Sequence, residues 1–275
     1  MPGDANLIVE ARTALLDAVA ALHAHRNSIV LVGAQAVYLR SGTASFALAE
    51  ATKDSDLAID TRSLGDDPRL EEAMTRAGFV INPTTNQPGA WLSPRGIPVD
   101  LMVPEQLAGL GGRRAARIPP HGKQAARRAP GLEASIVDHS PMKVESLDGD
   151  KRSAIINVAG PAALLVAKLH KLGERIQTPS RLIDKDAHDS YRLFVATSTT
   201  DLADAVRRLL ADDISREVTI QGLDFLDQLF AAGPGSLGSI MAARAEEGVG
   251  QPEVVAASVS ILAQDLLTEL ARNHG

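Results

Sequence analysis

The sequence predicts an α+β protein, with a mixed strand-and-helix N-terminal part followed by an all-helical C-terminal part. Three observations predict it. The apolar run SIVLVG (28–33) ends in glycine and opens into a helical pattern. Strand-like segments recur at 52–60, 91–104 and 152–160. After Pro161 the composition changes, and helical patterns dominate to residue 272.

Each element follows from local pattern. Residues 6–25 read as an amphipathic helix, with Leu7, Leu15, Val19 and Leu22 at helical spacing and Arg12 and Asp17 between them. After Gly33, AQAVYLR has helical character, so the order is strand, glycine turn, helix. TKDSDLAID (52–60) alternates and ends in β-formers. DPRLEEAMTRAGF (67–79) predicts a helix with Pro68 near its first turn and Gly78 past its end. WLSPRGIPVDLMVP (91–104) reads as two strands bent at the Pro-Arg-Gly turn. Residues 105–150 are rich in Gly, Pro and Arg with weak periodicity, which predicts loop and short strand. RSAIINVAG (152–160) returns to strand, and helices follow at 161–176, 185–198, 200–212, 216–231, 235–246 and 252–272. A boundary near 158 separates two expected domains, 1–158 and 159–275, with no internal repeat.

Composition narrows the function classes. The 275 residues carry 28 Lys+Arg against 34 Asp+Glu, a formal charge of −6, which argues against a wholly basic nucleic-acid binder. With 45% hydrophobic and 23% charged residues the chain can bury a core. At 3% aromatic residues, a base-stacking module built on Phe and Tyr is disfavoured. The absence of Cys removes disulfides, thiolate metal sites and cysteine nucleophiles. No stretch is read as the roughly 20 apolar residues of a membrane span, and MPGDANLIVEAR, with Asp4 and Glu10, lacks a signal-peptide layout. A cytoplasmic protein without a membrane partner is expected.

The residues that could carry chemistry fall in three groups. Asp54 and Asp56 lie two apart in a strand-like segment, so both side chains point to one face and would repel unless they share a divalent cation. Asp100 is the lone charge in Ile97–Val103 and calls for a partner or metal there. Gly33 opens a helix whose backbone N–H groups could approach a phosphate. A second group lies on PAALLVAKLHKLGERI, where Lys168, Lys171 and Arg175 form a basic stripe beside an apolar face. Asp186 and Asp189 follow as i, i+3 neighbours on the next helix. Third, no acid interrupts the stretch between Glu105 and Glu133, which holds Arg113, Arg114, Arg117, Lys123, Arg127 and Arg128, with His121. Such a local positive patch on an acidic protein could track an RNA backbone. His23 and His25 face different directions, and Gly109–Gly112 lacks the Lys-Ser or Lys-Thr of a P-loop.

Val32-Gly33-Ala34, then Asp54-Ser55-Asp56, then Asp100 resembles the nucleotidyltransferase superfamily related to DNA polymerase β. Ala34 stands where that pattern has Gly or Ser, leaving a backbone rather than a hydroxyl contact to phosphate. The helix bearing Lys168 and the run Lys185-Asp186-x-x-Asp189-x-Tyr191 are similar to the AbiEii/MenT toxin type of that superfamily. The resemblance implies a two-metal Mg²⁺ site on Asp54, Asp56 and Asp100, with Asp100 also helping to deprotonate the acceptor hydroxyl. It implies that Gly33, Ala34, Lys168 and Lys171 hold the NTP, with Lys168 neutralising the triphosphate, and that Asp186 or Asp189 joins the site. The helical domain would then complete the active-site cleft. The expected activity is transfer of NMP to RNA, a tRNA 3′ end, by a toxin with a cognate antitoxin. That antitoxin could bind, or phosphorylate Thr52 or Ser55, where a phosphate would repel metal and NTP. The alternatives are transfer to a small molecule or protein, or an inactive nucleotide-binding module.

Overall fold

The computed structural model describes residues 2–42, 54–111, 113–147 and 149–272. Helix α1 (Pro2–Ala21) leads through a single turn at His23–Ser28 into strand β1 (Ile29–Val32), helix α2 (Gly33–Ser41) and strand β2 (Ser55–Ile59). Helix α3 (Leu70–Arg76) is shorter than 67–79, because Pro68 lies outside it and extended Arg69 occupies the N-cap. The short β3 (Val80–Ile81) was not expected. Strands β4 (Ala90–Leu92) and β5 (Pro98–Pro104) form the hairpin expected around Pro94-Arg95-Gly96.

Residues 105–150 hold more structure than their periodicity suggested: β6 (Arg127–Ala129), α4 (Glu133–Val137) and the seven-residue β7 (His139–Glu145). β7 pairs along its full length with β8 (Ser153–Ala159). It sits at the edge of the sheet with only Val144 buried, so it lacks the apolar alternation that would mark it.

The strand order is β3-β4-β5-β2-β1-β8-β7, with β6 also pairing β5. On one side β5 runs parallel to β2; on the other, β4 takes its first residues and β6 its last. Apolar residues of β1, β2 and β5 are buried together with Leu15 and Leu22. The helices of the C-terminal part are α5 (Pro161–Gly173), α6 (Asp184–Ala196), α7 (Thr199–Ala211), α8 (Arg216–Leu226, continued by a wider turn at Asp227–Ala231), α9 (Leu237–Arg244) and α10 (Pro252–Arg272). Each lies where the sequence pattern put it.

The chain divides into two units. The first takes Met1–Ala36, Ala51–Leu132 and His139–Ala159 and contains the sheet; the second takes Val37–Glu50, Glu133–Asp138 and Gly160–Gly275. A single cut near 158 therefore misses two short excursions of the N-terminal half into the helical unit. α10 is 21 residues long and apolar enough by length and composition to span a bilayer, contrary to the expectation that no stretch is. Val255, Val259, Ala263 and Leu266 form its buried stripe, and it packs on α9 and α7.

Candidate active site

Sheet register brings two of the three acids together. Asp56 of β2 pairs with Asp100 of the parallel β5 and with Val32 of the antiparallel β1, so the carboxylates of Asp56 and Asp100 are neighbours on one sheet face. Asp54 precedes β2 and is exposed. Ser55 points the other way: it is 1% exposed, donates to the Ala11 carbonyl and accepts from Gln35 Nε2. A hydroxyl so enclosed is no target for a phosphorylating antitoxin; Thr52 lies outside the described residues.

Gly33 follows β1, opens α2 and lies against Asp56. Its φ of +70° belongs to the left-handed region, and a Cβ built there would stand 2.1 Å from Asp56 Oδ2. Glycine thus serves both the turn and the close approach of the carboxylate. Ala34 follows it in the first turn of α2.

Sequence reasoning missed the buried Gln35. Its amide donates to Ser55 Oγ at 2.7 Å and to the Asp54 carbonyl at 3.3 Å, while Arg12 Nε donates to its Oε1 at 3.0 Å. Arg12 in turn donates to the Glu145 carbonyl. This chain of bonds fixes where Asp54 enters the strand. A polar side chain in the apolar run after Gly33 was the available signal.

Asp100 does not stand alone among apolar neighbours: Arg127 of β6 donates to its Oδ2 from Nη2 at 2.9 Å and from Nε at 3.3 Å. The all-oxygen donor set of Asp54, Asp56 and Asp100 suits Mg²⁺ by its chemistry. Among the described residues, however, no group of three or more His, Asp or Glu gathers closely enough to hold a metal. At Asp100 the counter-charge is the Arg127 guanidinium.

The arginine-rich stretch divides. Arg113, Arg114, Arg117 and Lys123 are exposed. Arg127 is half-buried against Asp100, and Arg128 pairs with Glu105 at 2.6 Å while its Nη2 donates to the Gly109 carbonyl. These two are ion-paired side chains, unlike the four exposed cations. His121 is buried, accepts from the Leu70 backbone N–H, and is held below the usual histidine range by burial and by neighbouring His25.

The second unit holds the other group. Lys168 of α5 donates to Asp186 Oδ1 at 2.8 Å and to Asp189 Oδ2 at 2.6 Å, both on α6. Lys171 adds a bond to Asp186 at 2.9 Å, and Arg175 stands 3.8 Å from the same carboxylate. Lys168, Asp186 and Asp189 side chains are 7%, 4% and 1% exposed; Lys171 is 42% exposed. Burial alone would raise the Asp186 carboxyl, but Lys168 and Lys171 outweigh it and hold the group down to about 2. Burial would likewise lower Lys168, yet Asp189 and Asp186 raise it above the usual lysine range. Both acids thus bind Lys168. Asp186 Oδ2 and Asp189 Oδ1 are buried without a hydrogen-bond partner among the described residues. Such atoms call for water, a cation or a ligand.

Tyr38 of α2 was also missed. Its ring lies 4.6 Å from the Arg192 guanidinium and 5.7 Å from Lys185 Nζ. A separate pocket of about 700 Å³, lined by residues including Ile183, Lys185, Leu237 and Arg244, contains none of the expected site residues.

A family model described as a nucleotidyltransferase matches residues 10–213, a span that includes Gly33, the three acids, Lys168, Asp186 and Asp189. No curated protein matches the chain.

Proposed function

The chain belongs to the nucleotidyltransferase family and is a transferase with an NTP substrate; from that premise we propose that it moves NMP onto an RNA acceptor, a tRNA 3′ end, in a Mg²⁺-dependent reaction. The observation that carries this reading is Gly33 pressed onto Asp56, with Asp56 in register beside Asp100. Asp54 and Asp56 would hold Mg²⁺, whose role is to offset charge on the triphosphate. The acceptor hydroxyl oxygen bonds to the α-phosphorus as the bridging bond to the β-phosphate breaks; pyrophosphate leaves, and the hydroxyl proton passes to Asp100. Gly33 and Ala34 at the start of α2 would receive phosphate through backbone N–H groups. The resemblance gives Lys168 and Lys171 of the second unit the task of offsetting phosphate charge; within that unit, Asp186 and Asp189 position Lys168.

RNA as acceptor is supported by the four exposed cations Arg113, Arg114, Arg117 and Lys123. The finer reading, an AbiEii/MenT-type toxin with a cognate antitoxin in the cytoplasm, rests on the Lys168 helix and the Lys185–Tyr191 run. A small-molecule or protein acceptor gains some support from the ion pairing of Arg127 and Arg128, which thins the basic patch.

Incubation with each labelled NTP, Mg²⁺ and total RNA tests the proposal. Label should enter RNA with the parent protein and vanish with Asp56→Ala. No transfer by the parent, or undiminished transfer by the variant, overturns it. Transfer that is indifferent to RNA and to charge reversal of Arg113 and Arg114 selects the other acceptor classes.

A further inference from the structure

We infer that Arg127 is a built-in cation of the acidic site: it occupies Asp100 in place of a second divalent ion, so the site takes a single divalent cation, on Asp54 and Asp56. The inference rests on the nucleotidyltransferase reading above and concerns how many cations that site holds.

The argument begins with β5. Asp56 and Asp100 are register partners on adjacent parallel strands, and strand spacing of about 4.8 Å sets two carboxylates side by side. Like charges so close destabilise each other unless a cation intervenes. Arg127 supplies that cation from the other edge of β5. It pairs with Met102, two residues beyond Asp100 and on the same face, and its side chain reaches back to Asp100 Oδ2. Both bonds end on Oδ2, so Oδ1 is the oxygen left to face an acceptor hydroxyl.

The backbone at Arg127 is held on several sides. Ala115 forms a bridge to it, and the Trp91 indole donates to the Ala125 carbonyl at 3.0 Å. Gly89, with φ +73°, lies so close that a Cβ would stand 2.2 Å from the Leu101 carbonyl oxygen and 2.5 Å from the Arg127 nitrogen. Any larger residue at 89 would push β6 away from β5. The guanidinium is therefore a placed charge rather than a passing surface contact.

Arginine suits the position chemically. It keeps its charge at any working pH, and its planar fork can serve a carboxylate on one edge and a phosphate on another. At 31% and 26% side-chain exposure, Arg127 and Asp100 remain open to a ligand.

Counting Mn²⁺ by electron paramagnetic resonance tests the inference, in titrations with non-hydrolysable analogues of each NTP. The parent protein should bind one Mn²⁺ per chain with its preferred analogue. Asp100→Asn should still bind one, Asp56→Asn none, and Arg127→Gln two, as Asp100 becomes a free donor. Two Mn²⁺ on the parent overturns the inference and leaves the proposed function standing. Arg127→Gln remaining at one, while melting as cooperatively as the parent, overturns the role given to Arg127. Should that variant not fold, the counts for the parent and Asp100→Asn decide alone. No nucleotide-dependent Mn²⁺ on the parent overturns both the inference and the reading beneath it.

Discussion

At the scale of single residues, Gly33 meets two demands that no other residue meets together: a left-handed φ and contact with the Asp56 carboxylate. Gly33→Ala is expected to cost about 1–3 kcal/mol of stability through backbone strain. Displacing Asp56 should also lower transfer by at least about 100-fold, since sub-ångström placement governs such chemistry. Urea unfolding and the label-transfer assay measure the two effects separately. Gly33, Asp54, Asp56 and Asp100 were all legible in the sequence because each carries a local signal: a glycine closing an apolar run, two acids two residues apart, and a lone charge in an apolar strand. Gln35 and Arg127 were not. Arg127 lies 27 residues from Asp100 in the chain, in a stretch whose lack of acids suggested an open basic loop; its acid comes from the neighbouring strand.

Among elements, α5 and α6 are joined by an ion network rather than by apolar packing alone. Lys168 holds two buried carboxylates, and Lys168→Ala would leave both without their principal cation. Breaking a buried pair in this way costs about 3–5 kcal/mol, so urea unfolding should show a loss of that size even where no substrate is present. The same network sets a pH dependence. Asp186 is depressed to about 2, so its contribution is complete above the unfolded-chain value of about 3.9 and disappears as pH falls through about 2. Lys168 is raised, so its contribution holds below the unfolded lysine value of about 10.4 and is lost only on further alkalinisation. Chemical denaturation between pH 5 and pH 2 should therefore show a decline that Asp186→Asn flattens. The helices themselves were readable from their apolar stripes and caps. β7 was not, because an edge strand with one buried residue is specified by its seven-residue pairing with β8, which no local pattern encodes.

For the whole molecule, a formal charge of −6 says little about partners because it averages unlike regions. Acids collect at Asp54, Asp56 and Asp100, whereas Arg113, Arg114, Arg117 and Lys123 are exposed together in the stretch from 113 to 123. If these four meet RNA phosphates, replacing all of them with Ala should reduce the slope of log affinity against log salt by about three. Binding titrations across salt concentrations measure it, and an unchanged slope would remove RNA contact from this surface. By itself, the sequence determined the α+β class, the helices after Pro161 and the order glycine, paired acids, third acid, since each part rests on periodicity or on a signal within a few residues. Tertiary structure alone decided which charges meet. Register put Asp56 beside Asp100 and Arg127 onto Asp100, and helix packing closed Lys168 onto Asp186 and Asp189. Partners of that kind are chosen by proximity in space, and a one-dimensional pattern records only proximity along the chain.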